Sequence, residues 1–320
     1  MVNNILNRKA IIFGIKGFYL TSEEKNLFLV ENPWGIILFS RNIKNLSQLK
    51  SLISSIKILT KDKNFPILID QEGGKVSRIN NIIDLSLFSQ DYFGQLYNIE
   101  KKIFFYNYKK YICLLSDIFK KVGININTVP VLDVYRKFSH NIVGTRSFSS
   151  DPKIVKELGK ICVKLYKKNK IATVIKHIPG HGLAKDDSHK HLPVVNVKKS
   201  ELIKNDFKPF RYSDSLFAMT AHIKYTAYDT TQSATHSSKV IDEVIRKHMG
   251  FKGVLISDDI SMKALKYGIK SNAIKALDAG CNLILHCNAN INEMKLLCKF
   301  IPTVDKFTQK KTSQFYKFLG

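Results

Sequence analysis

Four of the nine histidines lie within Val174 to Val194, "VIKHIPGHGLAKDDSHKHLPV". His177, His181, His189 and His191 share this stretch with Asp186 and Asp187, and Pro179, Gly180, Gly182 and Pro193 break it. Asp187 and His189 stand one residue apart on a glycine-flanked segment, so their side chains can meet. A carboxylate bonded to one imidazole nitrogen fixes the tautomer and leaves the other nitrogen able to give or take a proton near neutral pH. His189 and His191 also form an HxH pair of the kind that holds zinc in barrel hydrolases. Such pairs usually sit on a strand, whereas this one lies in a loop with no third ligand placed beside it. Proton transfer is therefore favoured over metal ligation, with surface or core histidines as the structural alternative.

Two further stretches carry chemistry. In "VLISDDISM", Asp258 falls at the end of an apolar run, where a carboxylate can serve as nucleophile, general base or metal ligand. One of Asp258 and Asp259 is expected instead to cap a helix beginning at "ISMKALKYG". In "PILIDQEGGKVSRI", Asp70 ends a run and Arg78 follows closely, a pair suited to gripping hydroxyls or a carboxylate through directed hydrogen bonds. "NIVGTRSFSSDP" puts Arg146 in a glycine-containing loop that can reach the same place. A plain ion pair is the alternative for either arginine.

Those residues need a scaffold that brings distant stretches together. Eight short apolar runs recur along the chain, at 11–17, 35–40, 66–71, 124–134, 172–177, 217–222, 253–259 and 282–288. Each is nearly continuous rather than alternating, as expected for strands buried on both faces. Between them lie segments with helical spacing, such as Leu46, Leu49, Leu52, Ile53 and Ile56. "SDPKIVKELGKICVKLYKKN" opens on a helix start signal, and "SSKVIDEVIRKHMGF" has Gly250 just past its periodic part. About 50 residues (72–123) interrupt the pattern after the third run and include an aromatic-rich amphipathic helix over 101–122. The alternation predicts an α/β fold, a single (β/α)8 barrel occupying residues 1–320, with a doubly wound sheet as the alternative. Asp70, Asp133, Lys176 with His177, His222, Asp258 with Asp259, and His286 all end their runs. In such barrels the C-terminal strand ends build the active site.

Composition narrows the options. With 44% apolar residues and 20 Phe the chain can fill a large core. Five scattered cysteines without CxxC spacing argue against a zinc module or a disulfide framework. The apolar run at Ala10 to Ile15 is too short to span a membrane, and no secretion signal is visible, so a cytoplasmic location is expected. A formal charge of +25 raises the question of a nucleic-acid partner. The lysines, however, are spread end to end and far outnumber the arginines that read bases. A solvated basic surface is expected, without nucleic-acid or membrane binding.

"KHIPGHG" (176–182), followed after four residues by "DSH" (187–189), resembles the signature of NagZ-type β-N-acetylglucosaminidases of glycoside hydrolase family 3. "GIILFSRNI", "LIDQEGGKVSRI", "VPVLDV", "GTRSFSSDP", "MTAHIKY", "GFKGVLISDDISM" and "DAGCNLILHCN" resemble further family blocks in the expected order. The resemblance implies retaining, two-step hydrolysis of terminal N-acetylglucosamine. Asp258 matches the nucleophile, His189 the general acid/base and Asp187 its orienting partner. Asp70, Arg78, Arg146, Lys176 and His177 match sugar-holding positions. A histidine thus replaces the acid carboxyl of ordinary glycosidases, so carboxylate separation says nothing about stereochemistry. Three departures stand outside those positions: Ile178 for a usual Phe, Thr235–His236 in a stretch more often Pro-Ala-Thr, and Asn282 for a frequent Asp. The resemblance further implies muropeptide substrates in peptidoglycan recycling, no metal, no organic cofactor and a monomer. Other family activities, β-glucosidase or N-acetylglucosaminide phosphorylase, remain as alternatives.

Overall fold

The computed structural model describes residues 7–137, 143–184 and 191–320. Among them ten strands run β1 (Lys9–Gly14), β2 (Pro33–Leu38), β3 (Ile67–Ile69), β4 (Ile126–Asn127), β5 (Ala172–Ile178), β6 (Val194–Val195), β7 (Phe217–Thr220), β8 (Lys224–Tyr225), β9 (Val254–Asp259) and β10 (Leu283–His286). Eight of these close a parallel barrel in the order β1, β10, β9, β7, β5, β4, β3, β2. Closure comes from β1 against β10, with Ile11 opposite Ile284 and Phe13 opposite His286. Every residue of β2 and of β5 is buried, which explains why the runs are continuously apolar rather than alternating. The eight runs foreseen from sequence each overlap one barrel strand, with β1 and β2 starting two residues earlier than read and β5 ending one later, and the fold is a (β/α)8 barrel.

Nine helices accompany the strands among the described residues: α1 (Ser22–Glu31), α2 (Leu46–Leu59), α3 (Gln90–Ile99), α4 (Lys101–Val122), α5 (Pro152–Lys168), α6 (Lys199–Lys204), α7 (Ile269–Ala279), α8 (Ile291–Phe300) and α9 (Lys306–Leu319), besides a wider-turned helix at Val240–His248. Local chemistry sets their starts. Thr21 and Glu24 form a reciprocal capping box on α1, Asn45 accepts from the Gln48 N–H on α2, and Asp151 with Pro152 opens α5. Each such cap is worth about 1 kcal/mol.

The insertion after β3 folds into α3 and α4. Phe93, Tyr97, Phe104, Tyr108 and Tyr111 interlock there, with the Phe93 and Tyr108 rings 4.6 Å apart. This module reaches the top of the barrel. Gln90 Nε2 donates to the Val131 carbonyl at 2.8 Å and to the Arg146 carbonyl at 2.6 Å, which fixes the loop that carries Arg146. Gly94 packs so closely that a Cβ would lie 1.7 Å from the Phe148 carbonyl oxygen, so only glycine permits this docking. At the opposite end α9 covers the barrel: Trp34 Nε1 donates to Thr312 Oγ1 at 2.9 Å and Phe315 packs on Trp34 and Phe217.

β6 and β8 pair in parallel outside the barrel and hold the chain leaving the 185–190 segment, with the Lys224 N–H donating to the Pro193 carbonyl at 2.9 Å. The peptide bonds Val129–Pro130, Lys176–His177 and Ile178–Pro179 are cis. No helix of the described residues is long and apolar enough to cross a membrane.

Candidate active site

An open cavity, about 770 Å³ including the solvent at its mouth, lies at the C-terminal ends of the barrel strands. Asp70, Arg78, Asp133, Arg146, Lys176, His177, His181, Asp258 and Asp259 supply its polar lining, and Ile37, Phe39, Val143, Met219, Met262, Leu285 and Cys287 its apolar one. This mixture, a few convergent charged groups against apolar walls, is what a small polar ligand with hydrophobic faces requires.

One wall is a continuous ion-pair network. Asp70 Oδ2 accepts from Arg78 Nη2 at 2.7 Å and Oδ1 from Thr128 Oγ1 at 2.7 Å, while Lys176 Nζ also bonds to Oδ1. Lys176 lies on β5 and is 2% exposed, so its ammonium needs anions on hand; the second is Glu72, 2.6 Å away. Glu72 in turn takes a two-pronged grip from Arg146, Nε at 2.7 Å and Nη2 at 2.8 Å. Burial alone would raise the carboxyls of Asp70 and Glu72. Lys176 and Arg78 for the former, and Arg146 and Lys176 for the latter, outweigh it and hold both below the usual carboxylate range. Burial likewise works against the Arg146 charge, and Glu72 more than reverses it.

The adjoining wall turns on Asp133. Its Oδ2 meets His177 Nδ1 at 2.7 Å, and its Oδ1 accepts the backbone N–H groups of His177 at 3.2 Å and of His181 at 2.7 Å. This buried carboxylate therefore orients the His177 ring and fixes the start of the next loop. Burial would raise the Asp133 carboxyl, but His177 and His181 bring it below its ordinary value. Burial pushes His181 down to about 4, so its imidazole is neutral at pH 7.

Across the cavity β9 ends in Asp258 and Asp259, which divide two roles. Asp259 is structural: Oδ1 accepts from Ser261 N and Cys287 N, both at 3.1 Å, and Oδ2 from Ser261 Oγ at 2.7 Å. It organises a turn rather than a helix cap, for residues 260–268 form turns and the helix begins only at Ile269. Asp258 lines the cavity, with Oδ1 accepting the Asp259 N–H at 2.8 Å and its own N–H donating to Thr220 Oγ1 at 3.3 Å. Burial raises its carboxyl, while His222, His177 and Lys176 pull it below the ordinary value, so it is ionised at neutral pH.

Of the sequence-derived residues, Asp70, Arg78, Arg146, Lys176, His177 and Asp258 thus converge on one cavity. Asp187 and His189 lie outside the described residues. Two strand-end histidines do not line the cavity. His222 is spent between Thr235 Oγ1 at 2.7 Å and the Asp259 carbonyl at 3.0 Å, and His286 Nε2 meets Glu293 at 2.7 Å. Glu72, the shared counterion of Arg146 and Lys176, was not singled out from sequence. Its signal was present, a lone acid between a strand end and Gly73–Gly74, but a turn acid looks the same.

Residues 14–314 match the glycosyl hydrolase family 3 N-terminal domain. A β-hexosaminidase of Neisseria gonorrhoeae (strain NCCP11945) is 34% identical over 288 residues, spanning 88% of this chain and 78% of the relative. A β-hexosaminidase of Psychromonas ingrahamii is 32% identical over 322 residues, spanning 96% and 89%. The crystal structure of NagZ from Neisseria gonorrhoeae, in complex with N-trifluoroacetyl-D-glucosamine, superposes with a TM-score of 0.87 at 31% identity, covering 97% of this chain and 90% of that one. With the parallel barrel and its carboxylate-rich mouth, these similarities establish that the chain belongs to glycosyl hydrolase family 3 and is a glycoside hydrolase.

Proposed function

We propose that this chain is a retaining β-N-acetylhexosaminidase that removes terminal, non-reducing β-linked N-acetylglucosamine from muropeptides during cytoplasmic peptidoglycan recycling. The observation that carries this is Asp258, an ionised carboxylate on a rigid strand end that shares one cavity with the Asp70–Arg78–Lys176–His177 wall. Asp258 attacks the anomeric carbon while His189, oriented by Asp187, gives its proton to the departing glycosidic oxygen. The bond from Asp258 to the sugar forms as the bond to the aglycone breaks. Water then attacks the same carbon, His189 takes its proton, and Asp258 is released as carboxylate. A neutral imidazole can approach the glycosyl-enzyme without carrying a negative charge toward the leaving Asp258 carboxylate. Asp70, Arg78, Arg146, Lys176 and His177 fix the sugar hydroxyls, with Glu72 completing the charge balance behind them. No metal or organic cofactor enters these steps, and the enzyme works as a monomer.

Aryl glycosides test the substrate class. Cleavage of the N-acetylglucosaminide well above the glucoside, without dependence on phosphate and unchanged by chelator, is the expected result. Preference for the glucoside would assign a β-glucosidase, phosphate-dependent release a phosphorylase, and loss on chelation a metal mechanism.

A further inference from the structure

Asp206 follows α6 and is 1% exposed, yet no step above uses it. Its Oδ1 accepts the Leu183 N–H at 3.1 Å, and a Cβ on Gly182 would lie 2.6 Å from the same oxygen. A Cβ on Gly180 would lie 2.7 Å from the Asp206 carbonyl oxygen and 2.9 Å from its Cβ. The two glycines of "PGHG" are therefore where the chain passes over Asp206 at closest approach. Tyr225 Oη, on β8, donates to the Gly180 carbonyl, and β8 also pairs with the chain that returns at Val194–Val195. One block of structure thus grips both the departure and the return of the 185–190 segment.

We infer that Asp206 is a positioning residue for the acid/base step: by accepting the Leu183 N–H it holds the backbone at Gly182–Leu183, four residues before Asp187 and six before His189 in the chain. This rests on the assignment of His189 as acid/base. Charge supports a neutral or readily neutralised clamp. Burial pushes the Asp206 carboxyl up to about 7, Asp133 adds to the rise, and Arg136 opposes it. Its Oδ2 is buried without a hydrogen-bond partner among the described residues, which suits a proton-bearing oxygen. Tyr225 is the other titratable group facing it, and burial keeps that phenol protonated.

The test uses kcat/KM, which reports the glycosylation step, on aryl N-acetylglucosaminides with a poor leaving group (phenyl) and a good one (2,4-dinitrophenyl). General-acid assistance is worth roughly 10²–10⁴-fold, and only the poor leaving group needs it. Asp206→Ala should cost about 10–100-fold on phenyl and less than about threefold on dinitrophenyl, a partial loss of that assistance. Asp206→Asn, which keeps the acceptor for Leu183 N–H, should restore most of the phenyl activity. Tyr225→Phe, which removes the bond that the same block makes to the Gly180 carbonyl, should repeat the selective loss in weaker form and serves where Asp206→Ala does not fold. Equal losses on both substrates, with a matching fall in Tm, would reduce Asp206 to a structural residue and overturn the inference. His189→Ala run in parallel separates the two levels. A selective loss there with uniform losses for Asp206→Ala sinks only the positioning role, whereas a uniform loss for His189→Ala removes the acid assignment itself.

Discussion

Glu72→Gln isolates the buried counterion that ties together the ion-pair wall of the cavity. Glu72 faces Lys176 at 2.6 Å and Arg146 at 2.7 and 2.8 Å, and the side chains of Lys176 and Glu72 are 2% and 1% exposed. Breaking a buried pair by deleting one charge costs about 3–5 kcal/mol, because the partner charge stays buried. Gln retains one acceptor and Asp70 still serves Lys176, so the lower end, about 3 kcal/mol, is expected. At roughly 2.1 cal/mol/K per residue, a chain of 320 residues unfolds with an entropy near 0.7 kcal/mol/K, so Tm should fall by about 4–5 °C. The pH dependence gives a second handle. The folded Glu72 carboxyl is held below its ordinary value, so its contribution is present above the unfolded value of about 4.3 and is lost as pH falls through that value toward the folded one. The gap between the native protein and Glu72→Gln should accordingly be full at pH 7 and narrow below about pH 4.5. Calorimetry at several pH values, with KM for an aryl N-acetylglucosaminide, reads both effects. A Tm change under about 1 °C at pH 7, or a gap that widens in acid, would refute the role of Glu72 as the shared counterion.

Asn282 Oδ1 accepts from Arg246 Nη2 at 2.9 Å and from Leu255 N at 2.8 Å, and Arg246 otherwise bonds to the carbonyls of Phe251 and Gly253. Asn282→Asp should make the Arg246 bond charge-assisted and add about 1 kcal/mol, a Tm rise of about 1–2 °C by thermal melt; a fall would show that the carboxylate costs more to bury than Arg246 returns. His181, pushed down to about 4 by burial, has a folded value below the unfolded one of about 6.5, so folding resists its protonation and stability declines as pH drops from 6.5 toward 4. Denaturant titrations at pH 7 and 5 should show a smaller decline, by about 1–2 kcal/mol, in His181→Gln; an unchanged decline would place the acid sensitivity elsewhere.

The barrel was legible in the sequence because strands buried on both faces must be apolar throughout, and eight such runs with strand-end polar residues leave few other architectures. A helix start was legible where a local cap stands beside a proline, as at Asp151–Pro152. Legibility ended where tertiary context decides. "ISMKALKYG" has helical composition, but Asp259 spends both carboxylate oxygens on Ser261 and Cys287, and the chain turns until Gly268. The two-residue strands β6 and β8 carry no periodicity to detect. His222 and His286 end their runs as Asp258 does, yet Thr235 and Glu293, remote in pattern, draw their rings into other bonds. Glu72 and Asp206 gain meaning only from partners 74 and 23 residues away, Arg146 and Leu183.

Covalent chemistry at Asp258 separates this mechanism from every alternative in which that carboxylate acts as a base or a ligand. Incubation with a 5-fluoro glycosyl fluoride of N-acetylglucosamine, whose fluorine slows breakdown of the glycosyl-enzyme, followed by proteolysis and peptide mass analysis, locates the attachment. A 2-acetamido glycosyl adduct on the peptide containing Asp258, absent from Asp258→Ala, is the predicted result. An adduct on another residue, or steady turnover by Asp258→Ala, would contradict it.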